Sequence, residues 1–246
     1  MFKKLLFLAF FVLTSASVFS QPAANIQLSG GMSFPLPDLK GTFGDDLAHF
    51  ISNGNPDSNS YFLKTGFNYG LGVKFPVNRK TLPINIIAGL SINSFTQSKE
   101  YNENGYYVKP TLSMSITTLN AGIEFSPGNR KSIIYPYAGA SFTLNLFSGS
   151  YVEDYIDSST TYNLSNTARG GIELNAGVDI VLHNNVGLNV AAKYSFANLF
   201  GKSYAADLKR TYYLKDDQYA ENGITYPAKN ITYLQISGGV SFYFGR

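Results

Sequence analysis

The C-terminal stretch of the chain alternates apolar and small polar residues with a period of two. One parity carries Leu234, Ile236, Gly238, Val240, Phe242 and Phe244, and the other carries Tyr233, Gln235, Ser237, Gly239, Ser241 and Tyr243. Successive side chains of a β-strand point to opposite faces of the sheet. The stretch is therefore predicted to be a strand with one apolar face that ends in aromatic residues and one small, polar face.

Seven earlier segments show the same alternation, so the sequence predicts eight strands. The earlier segments are 26–34, 64–75, 84–93, 112–125, 137–146, 171–182 and 186–196. The connections between the eight strands are alternately long and short. The longer ones are 35–60, 97–109, 148–168 and 200–229, whereas His183-Asn184-Asn185 is typical of a tight hairpin turn. Together these features predict an all-β fold, an eight-stranded antiparallel up-and-down transmembrane β-barrel with short periplasmic turns and long extracellular loops.

The fourth segment departs from the simple pattern because its apolar residues change parity. Met114 and Ile116 lie on the opposite parity from Leu119 and Ile123. One extra residue in a strand shifts every later side chain to the other face. The sequence therefore predicts a β-bulge near Thr117 and Thr118.

The first twenty residues have the parts of a signal peptide. Lys3 and Lys4 precede an unbroken apolar run over 5–13, and Val18-Phe19-Ser20 is a suitable cleavage site. Residues 1–20 are therefore predicted to be a signal peptide and residues 21–246 the barrel domain. The chain has no cysteine, which excludes disulfides and thiolate metal sites.

The composition of the polar face decides which side of the barrel points outward. That face is rich in Gly, Ser, Asn and Thr, and only 14% of the whole chain is charged. A water-facing wall would carry more charge, whereas a narrow eight-stranded lumen needs small polar residues. The apolar face is therefore predicted to contact lipid. All charges within strand bodies share the polar parity: Lys64, Lys74, Glu124, Arg169, Glu173, Asp179 and Lys193.

These inward charges are predicted to form a polar network that plugs the lumen, because a buried unpaired charge is costly. The 183–185 hairpin brings Lys193 near Glu173, and Lys74 and Glu124 lie near the same end of the barrel.

Aromatic residues near the strand ends are predicted to form two interfacial girdles. The turn-side girdle comprises Phe75, Phe125, Tyr135 and Phe244, and the loop-side girdle comprises Phe62, Phe147, Tyr194, Phe196 and Phe200.

With eight strands, an export signal and an aromatic final strand, the chain resembles the small outer-membrane barrels of the OmpX and OmpA-transmembrane-domain type. The resemblance covers residues 24–244. It implies insertion into the outer membrane of a Gram-negative bacterium by the barrel-assembly machinery, which reads Phe242 and Phe244 of the last strand. Here Gly245 and Arg246 follow that strand. The chain stops at the barrel, so the peptidoglycan-binding role of the OmpA type is not implied.

Candidate chemistry is sparse, and the sequence predicts no catalytic, cofactor or metal site. His183 belongs to the tight turn, and His49 lies in the first loop near Asp45 and Asp46. A loop histidine beside an acid also occurs in lipid A-modifying barrels, but no diagnostic spacing is present here. The loop acids, which include Glu153 and Asp154, could hold divalent cations among lipopolysaccharide phosphates, but loop solubility is the favoured interpretation.

The sequence therefore predicts a non-enzymatic outer-membrane barrel whose loops serve surface interaction, adhesion or envelope integrity. Its expected partners are outer-membrane lipids, lipopolysaccharide and an extracellular ligand bound by the loops. Nucleic acid is not expected, because removal of residues 1–20 leaves 17 basic and 16 acidic residues. Transport of small or hydrophobic solutes is the alternative function, a lipid A-modifying enzyme is a third hypothesis, and a secreted soluble ligand-binding barrel is a fourth.

Overall fold

The computed structural model describes residues 24–40, 63–78, 82–103, 106–127, 133–183, 185–205, 210–221 and 224–244. No helix among these residues is long and apolar enough to cross a membrane. The described strands are β1 Asn25–Pro35, β2 Gly66–Asn78, β3 Leu82–Ser98, β4 Tyr101–Glu103, β5 Tyr106–Phe125, β6 Ile134–Tyr155, β7 Ser159–His183, β8 Val186–Phe200, β9 Thr211–Tyr212, β10 Tyr219–Glu221, β11 Ile224–Tyr226 and β12 Thr232–Tyr243.

Eight strands close into a ring, which confirms the predicted up-and-down barrel. The order around the ring is β1-β2-β3-β5-β6-β7-β8-β12, and β12 pairs back onto β1. Every pairing in the ring is antiparallel. The turn between β7 and β8 is tight, as predicted, with His183 in register with Val186. The short strand β4 pairs with β5, β9 pairs in parallel with β7, and β10 and β11 form a separate hairpin.

One side of the barrel is much taller than the other. Strands β5, β6 and β7 have 20, 22 and 25 residues, whereas β1, β12 and β2 have 11, 12 and 13. Ten further residues add about 33 Å of strand. The pairs Asn25–Tyr243 and Phe125–Ala138 both lie at the short-turn end, so the added length lies on the loop side.

Two predicted loops are therefore wrong in extent. Most of 97–109 belongs to β3, β4 and β5, and most of 148–168 belongs to the hairpin of β6 and β7. The predicted loop 200–229 contains the short strands β9, β10 and β11. Residues 41–60 of the first predicted loop, which include His49, lie outside the described residues, as does the signal peptide.

The predicted bulge at Thr117 and Thr118 is also wrong. Strand β5 pairs with β3 in one continuous register from Ile84–Phe125 to Ser98–Thr111, and its pairing with β6 is equally continuous. The change of apolar parity in the sequence is real, but it has another cause. Met114 and Ile116 point into the barrel, where they are 2% and 0% exposed.

The predicted orientation holds in the lower part of the barrel, nearer the short turns. Leu174 and Leu188 face outward and are 48% and 42% exposed, whereas Glu173 faces inward and is 2% exposed. Ile123 and Phe142 are likewise exposed on the outer face. These residues belong to an apolar exterior that matches the lipid-facing band of a membrane barrel.

The orientation reverses in the upper part of the tall side. Phe95 and Phe147 are buried inside, whereas Ser94 and Ser148 are exposed outside. Apolar residues inside and hydroxyls outside are the arrangement of a water-facing barrel. The tall side therefore extends above the lipid-facing part, and this explains why the sequence pattern changes parity there.

Some lumen glycines are required by close packing against neighbouring strands, and others are not. A Cβ on Gly122 would collide with the carbonyl oxygen of Ala140 and lie 2.5 Å from Ser141 Cα, both of them backbone atoms. We expect Gly122→Ala to lower the free energy of unfolding by about 1–3 kcal/mol, measured by urea titration in detergent. Gly72→Ala is the matched control, since a Cβ there would find its nearest neighbour at 3.8 Å. Equal losses in the two variants would contradict this explanation.

Candidate functional site

The centre of the lower lumen is the ammonium group of Lys74. Its Nζ lies 3.0 Å from Glu124 Oε2 and 2.9 Å from Asp179 Oδ2. The same nitrogen lies 3.5 Å from the centre of the Tyr137 ring, a cation–π contact. These four side chains come from β2, β5, β7 and β6, and inward strand parity brings them together. All four are buried.

The carboxylates around Lys74 are satisfied by neutral donors as well. Asp179 Oδ1 accepts hydrogen bonds from Gln27 Nε2 at 2.8 Å and from Asn189 Nδ2 at 2.6 Å. Glu124 Oε1 accepts one from Asn85 Nδ2 at 3.1 Å. Buried carboxylates need such partners, because desolvation is costly unless the remaining lone pairs are occupied.

A second ion pair lies further up the lumen. Lys193 Nζ is 3.2 Å from Glu173 Oε1, which also accepts a hydrogen bond from Asn120 Nδ2 at 3.2 Å. Ser195 Oγ and Gln235 Nε2 lie 3.4 and 3.5 Å from Glu173 Oε2. A cavity of about 60 Å³ lies between the two ion-pair groups, lined by Lys74, Glu173 and Lys193 among others. That volume suits a few water molecules.

The polar network is defined here as Lys74, Glu124, Asp179, Glu173 and Lys193 with their hydrogen-bond partners. Five of the seven charges that the sequence assigned to the polar face lie in it, and Arg169 lies above it. Lys64 precedes β2 and is exposed, so its side chain does not belong to the lumen. Among the described residues, no group of three or more His, Cys, Asp or Glu side chains is arranged to hold a metal ion.

The upper lumen is filled by an apolar cluster instead. Phe95 and Tyr233 meet edge to face at its lower boundary, with ring centroids 5.7 Å apart. The hydroxyl of Tyr233 lies 3.4 Å from Thr118 Oγ1, so this ring has its polar end toward the polar residues below. The apolar cluster consists of Leu39, Leu63, Phe95, Met114, Ile116, Phe147, Leu164, Ala197, Leu214, Ile231 and Tyr233.

Sequence reasoning did not find this cluster, although a signal for it was present. The inward apolar residues of β5 produced the change of parity that was interpreted as a bulge. Leu39, Leu63 and Leu214 come from segments between the ring strands, and no strand periodicity marks them as interior. These three leucines complete the apolar cluster at the mouth.

Arg169 holds one of these segments in place. Its Nε and Nη2 donate to Asp216 Oδ2 and Oδ1, both at 2.9 Å, and the Asp216 side chain is fully buried. Asp216 also accepts hydrogen bonds from Asn198 Nδ2 at 2.9 Å and from the Ser203 amide at 3.1 Å. These four residues are called the mouth anchor. Gly201, with φ of 80°, lets the chain leave β8 in the left-handed conformation that favours glycine.

Further contacts keep the mouth closed beside the mouth anchor. The amide of Ile231 donates to Asn198 Oδ1 at 2.7 Å, and the amide of Asn230 donates to Asp38 Oδ2 at 2.7 Å. Burial lowers the pKa of Lys229, nearby Lys215 lowers it further, and Asp38 opposes the change. Lys229 is half-buried, so part of the chain at the mouth packs around its side chain.

The residues predicted for the aromatic girdles do not all face lipid. Phe125 and Phe244 are 51% and 52% exposed on the outer face, and the Tyr194 and Phe196 rings lie 4.7 Å apart. Phe75 also lies on an outward parity of β2. Tyr135 instead shares the inward parity of β6 with buried Tyr137. Phe147 was wrongly assigned, because it is 1% exposed and belongs to the apolar cluster. Phe62 lies outside the described residues.

The final strand ends with both predicted aromatic residues on the outer face. Phe242 is 38% exposed and Phe244 is 52% exposed. Gly245 and Arg246 lie outside the described residues. Recognition of these aromatic residues by an assembly machinery stays a prediction.

A closed antiparallel ring with an apolar exterior and a polar, charge-paired interior defines a membrane-spanning β-barrel. No protein-family model matches the sequence. No curated protein matches it either.

Several solved structures are similar to the chain. Neisserial surface protein A is 14% identical, with a TM-score of 0.44, covering 90% of this chain and 97% of that one. The outer membrane protein OprG from Pseudomonas aeruginosa is 14% identical, with a TM-score of 0.45, covering 91% and 97%. Ail, the attachment invasion locus protein of Yersinia pestis, solved with the heparin analogue sucrose octasulfate, is 14% identical, with a TM-score of 0.39, covering 91% and 99%.

Proposed function

We propose that the protein is a non-enzymatic barrel of the Gram-negative outer membrane, with a sealed lumen and extracellular segments that serve surface interaction, adhesion or envelope integrity. The observation that carries this proposal is the double filling of the lumen. The polar network occupies the lower part with paired charges, and the apolar cluster occupies the upper part with fully buried side chains.

The apolar cluster is the stronger barrier to ions. A hydrated ion passing Phe95 and Ile116 would lose its water without gaining polar partners, which is costly. The polar network alone could let ions exchange between its charged groups. A transport role would require both layers to move, so the sealed barrel is favoured over the alternative of solute passage.

The working surface is then the extracellular side. The last extracellular segment carries three stacked tyrosines: the Tyr204 and Tyr219 rings are 4.2 Å apart, and the Tyr219 and Tyr226 rings are 4.6 Å apart. Tyr219 is buried between the other two rings, whereas Tyr204 is 38% exposed, so the stack holds an exposed tyrosine rigidly at low entropic cost, as is typical of binding loops. This supports a contact role for the loops rather than a catalytic one.

The test of the seal is Lys193→Met in planar bilayers. We expect the variant to be less stable, because Glu173 loses its ammonium partner, yet to show no added conductance, since the apolar cluster above it is unchanged. Lys193 is partly exposed, so the expected loss is only about 1–2 kcal/mol. Steady single-channel conductance in the wild type would overturn the sealed lumen. Unchanged stability together with raised conductance in the variant would also do so.

The hypothesis of a lipid A-modifying enzyme is tested separately. We expect identical lipid A mass spectra from cells with and without the protein. A new acylated or deacylated species that depends on the protein would replace the non-enzymatic proposal.

A further inference from the structure

The outer face of the tall side carries an ordered set of hydroxyl groups directly above the apolar exterior. Ser94 of β3 is in register with Ser115 of β5, and Ser115 is in register with Ser148 of β6. One row further up, the cross-strand neighbours are Thr96, Ser113 and Ser150. These six residues, Ser94, Thr96, Ser113, Ser115, Ser148 and Ser150, are called the hydroxyl wall.

The hydroxyl wall has a rigid backing. On the same strands the inward residues are Phe95, Met114 and Phe147, which are 0%, 2% and 1% exposed within the apolar cluster. The neighbouring strands hold the hydroxyls about 4.8 Å apart across the sheet and about 6.8 Å apart along each strand. Thr96 Oγ1 and Ser113 Oγ are themselves 3.4 Å apart. The wall is therefore a preformed surface rather than a flexible loop.

The absence of charge from the six wall positions sets this surface apart. A water-facing surface of this size normally carries several Lys, Arg, Asp or Glu residues. The next charges on the outer face of β5 and β6, Lys109 and Asp154, are cross-strand neighbours of opposite sign. A phosphate-binding surface would present Arg or Lys. A surface made of hydroxyls, which both donate and accept, instead matches the hydroxyls of a saccharide.

The position of the wall identifies the occupant. The outward row directly below it is Ile92, Thr117 and Leu146. The next row down is Leu90, Leu119 and Leu144, which are cross-strand neighbours and are exposed. In a membrane these leucines contact acyl chains. A lipid whose chains lie on them places its headgroup against the hydroxyl wall, so the two surfaces are continuous.

We propose that the hydroxyl wall binds the saccharide headgroup of membrane glycolipids on the tall side of the barrel. The proposal rests on the membrane position given above and names the part of the surface that takes the lipid. The sugar hydroxyls exchange hydrogen bonds with the wall, and the acyl chains cover the leucines below it.

The test uses the full barrel in phosphatidylcholine nanodiscs and counts retained lipids by native mass spectrometry. The probe is a diglycosyl diacylglycerol, which has sugars but no phosphate, and phosphatidylglycerol is the comparison lipid. We expect the wild type to retain the glycolipid in preference to phosphatidylglycerol. Ser115→Ala with Ser148→Ala should lower its retention about fivefold or more, since each lost hydrogen bond contributes about 0.5–1.5 kcal/mol.

Two further variants isolate the hydroxyl groups. Ser115→Thr with Ser148→Thr keeps both hydroxyls and should retain the glycolipid. Ser158→Ala with Thr225→Ala removes two exposed hydroxyls outside the hydroxyl wall and should leave the retention of the glycolipid unchanged. Equal retention of phosphatidylglycerol by the wild type, or unchanged retention in the alanine wall variant, would overturn the proposal. Neither result bears on the sealed lumen, which the conductance measurement tests independently.

Discussion

Replacing Lys74 with methionine is expected to destabilise the barrel more than any other change to its lumen. The ammonium group of Lys74 is 3.0 Å from one buried carboxylate and 2.9 Å from another, those of Glu124 and Asp179. Methionine fills a similar volume but leaves two like charges facing each other with no cation between them. Removing one partner from a buried ion pair costs about 3–5 kcal/mol. The midpoint of urea unfolding, followed by heat-modifiable gel migration, should fall accordingly.

The control for this variant is Lys64→Met, because Lys64 is exposed and precedes β2. It should unfold at the wild-type urea concentration. The triple variant Lys74→Met, Glu124→Gln, Asp179→Asn removes the three charges together and should recover part of the lost stability, since no carboxylate is then left unpaired. If Lys74→Met alone matched the wild type, the polar network would not be the stabilising feature described here.

Asp216→Ala is expected to open the extracellular mouth. Asp216 has a fully buried side chain and accepts four hydrogen bonds, two of them from Arg169. Its removal leaves the Arg169 guanidinium buried without a counter-charge, at a cost of about 3–5 kcal/mol. The segment that carries Leu214 should detach before the ring of strands unfolds. Limited trypsin digestion of the barrel in vesicles should then cleave between residues 201 and 230 much faster than in the wild type.

The neighbouring Asp217 supplies the matched control. It is exposed, and its side chain accepts a hydrogen bond at 2.8 Å from the amide of the next residue, Gln218. Asp217→Ala should leave the rate of cleavage nearly unchanged. Equal cleavage of the two variants would mean that the mouth anchor does not hold the segment.

The variants Lys74→Met and Asp216→Ala change different parts of the lumen, and their effects on the free energy of unfolding should be nearly independent. Lys74 lies in the lower lumen with Glu124 and Asp179, whereas Asp216 pairs with Arg169 at the mouth, and the two sites share no partner. Contributions from sites without shared partners usually add. Additive losses of stability in the variant that combines Lys74→Met with Asp216→Ala would support a lumen that is closed by two independent sets of contacts.

The sequence alone determined the eight strands, their antiparallel order and the lower lumen, since strand parity is a local property. A period of two assigns Glu173 and Lys193 to one face and Leu174 and Leu188 to the other, without knowledge of the neighbours. A tight turn at 183–185 then brings the first pair close together. The sequence did not predict that β5 extends upward past Met114 and Ile116 with both side chains inside the barrel. A change of apolar parity has two local explanations, a bulge or an interior that becomes apolar, and the pattern alone does not distinguish them.

Only the tertiary structure decided between those explanations and completed the upper lumen. The unbroken register of β5 with both neighbours places Met114 and Ile116 inside. Asp216 is 47 residues from Arg169 and lies outside any strand, so no periodic pattern marks it as the partner of that guanidinium. Such contacts depend on where a long segment returns to the barrel mouth, which is decided by packing against Leu39, Leu63 and Tyr233 rather than by the residues beside it in the chain.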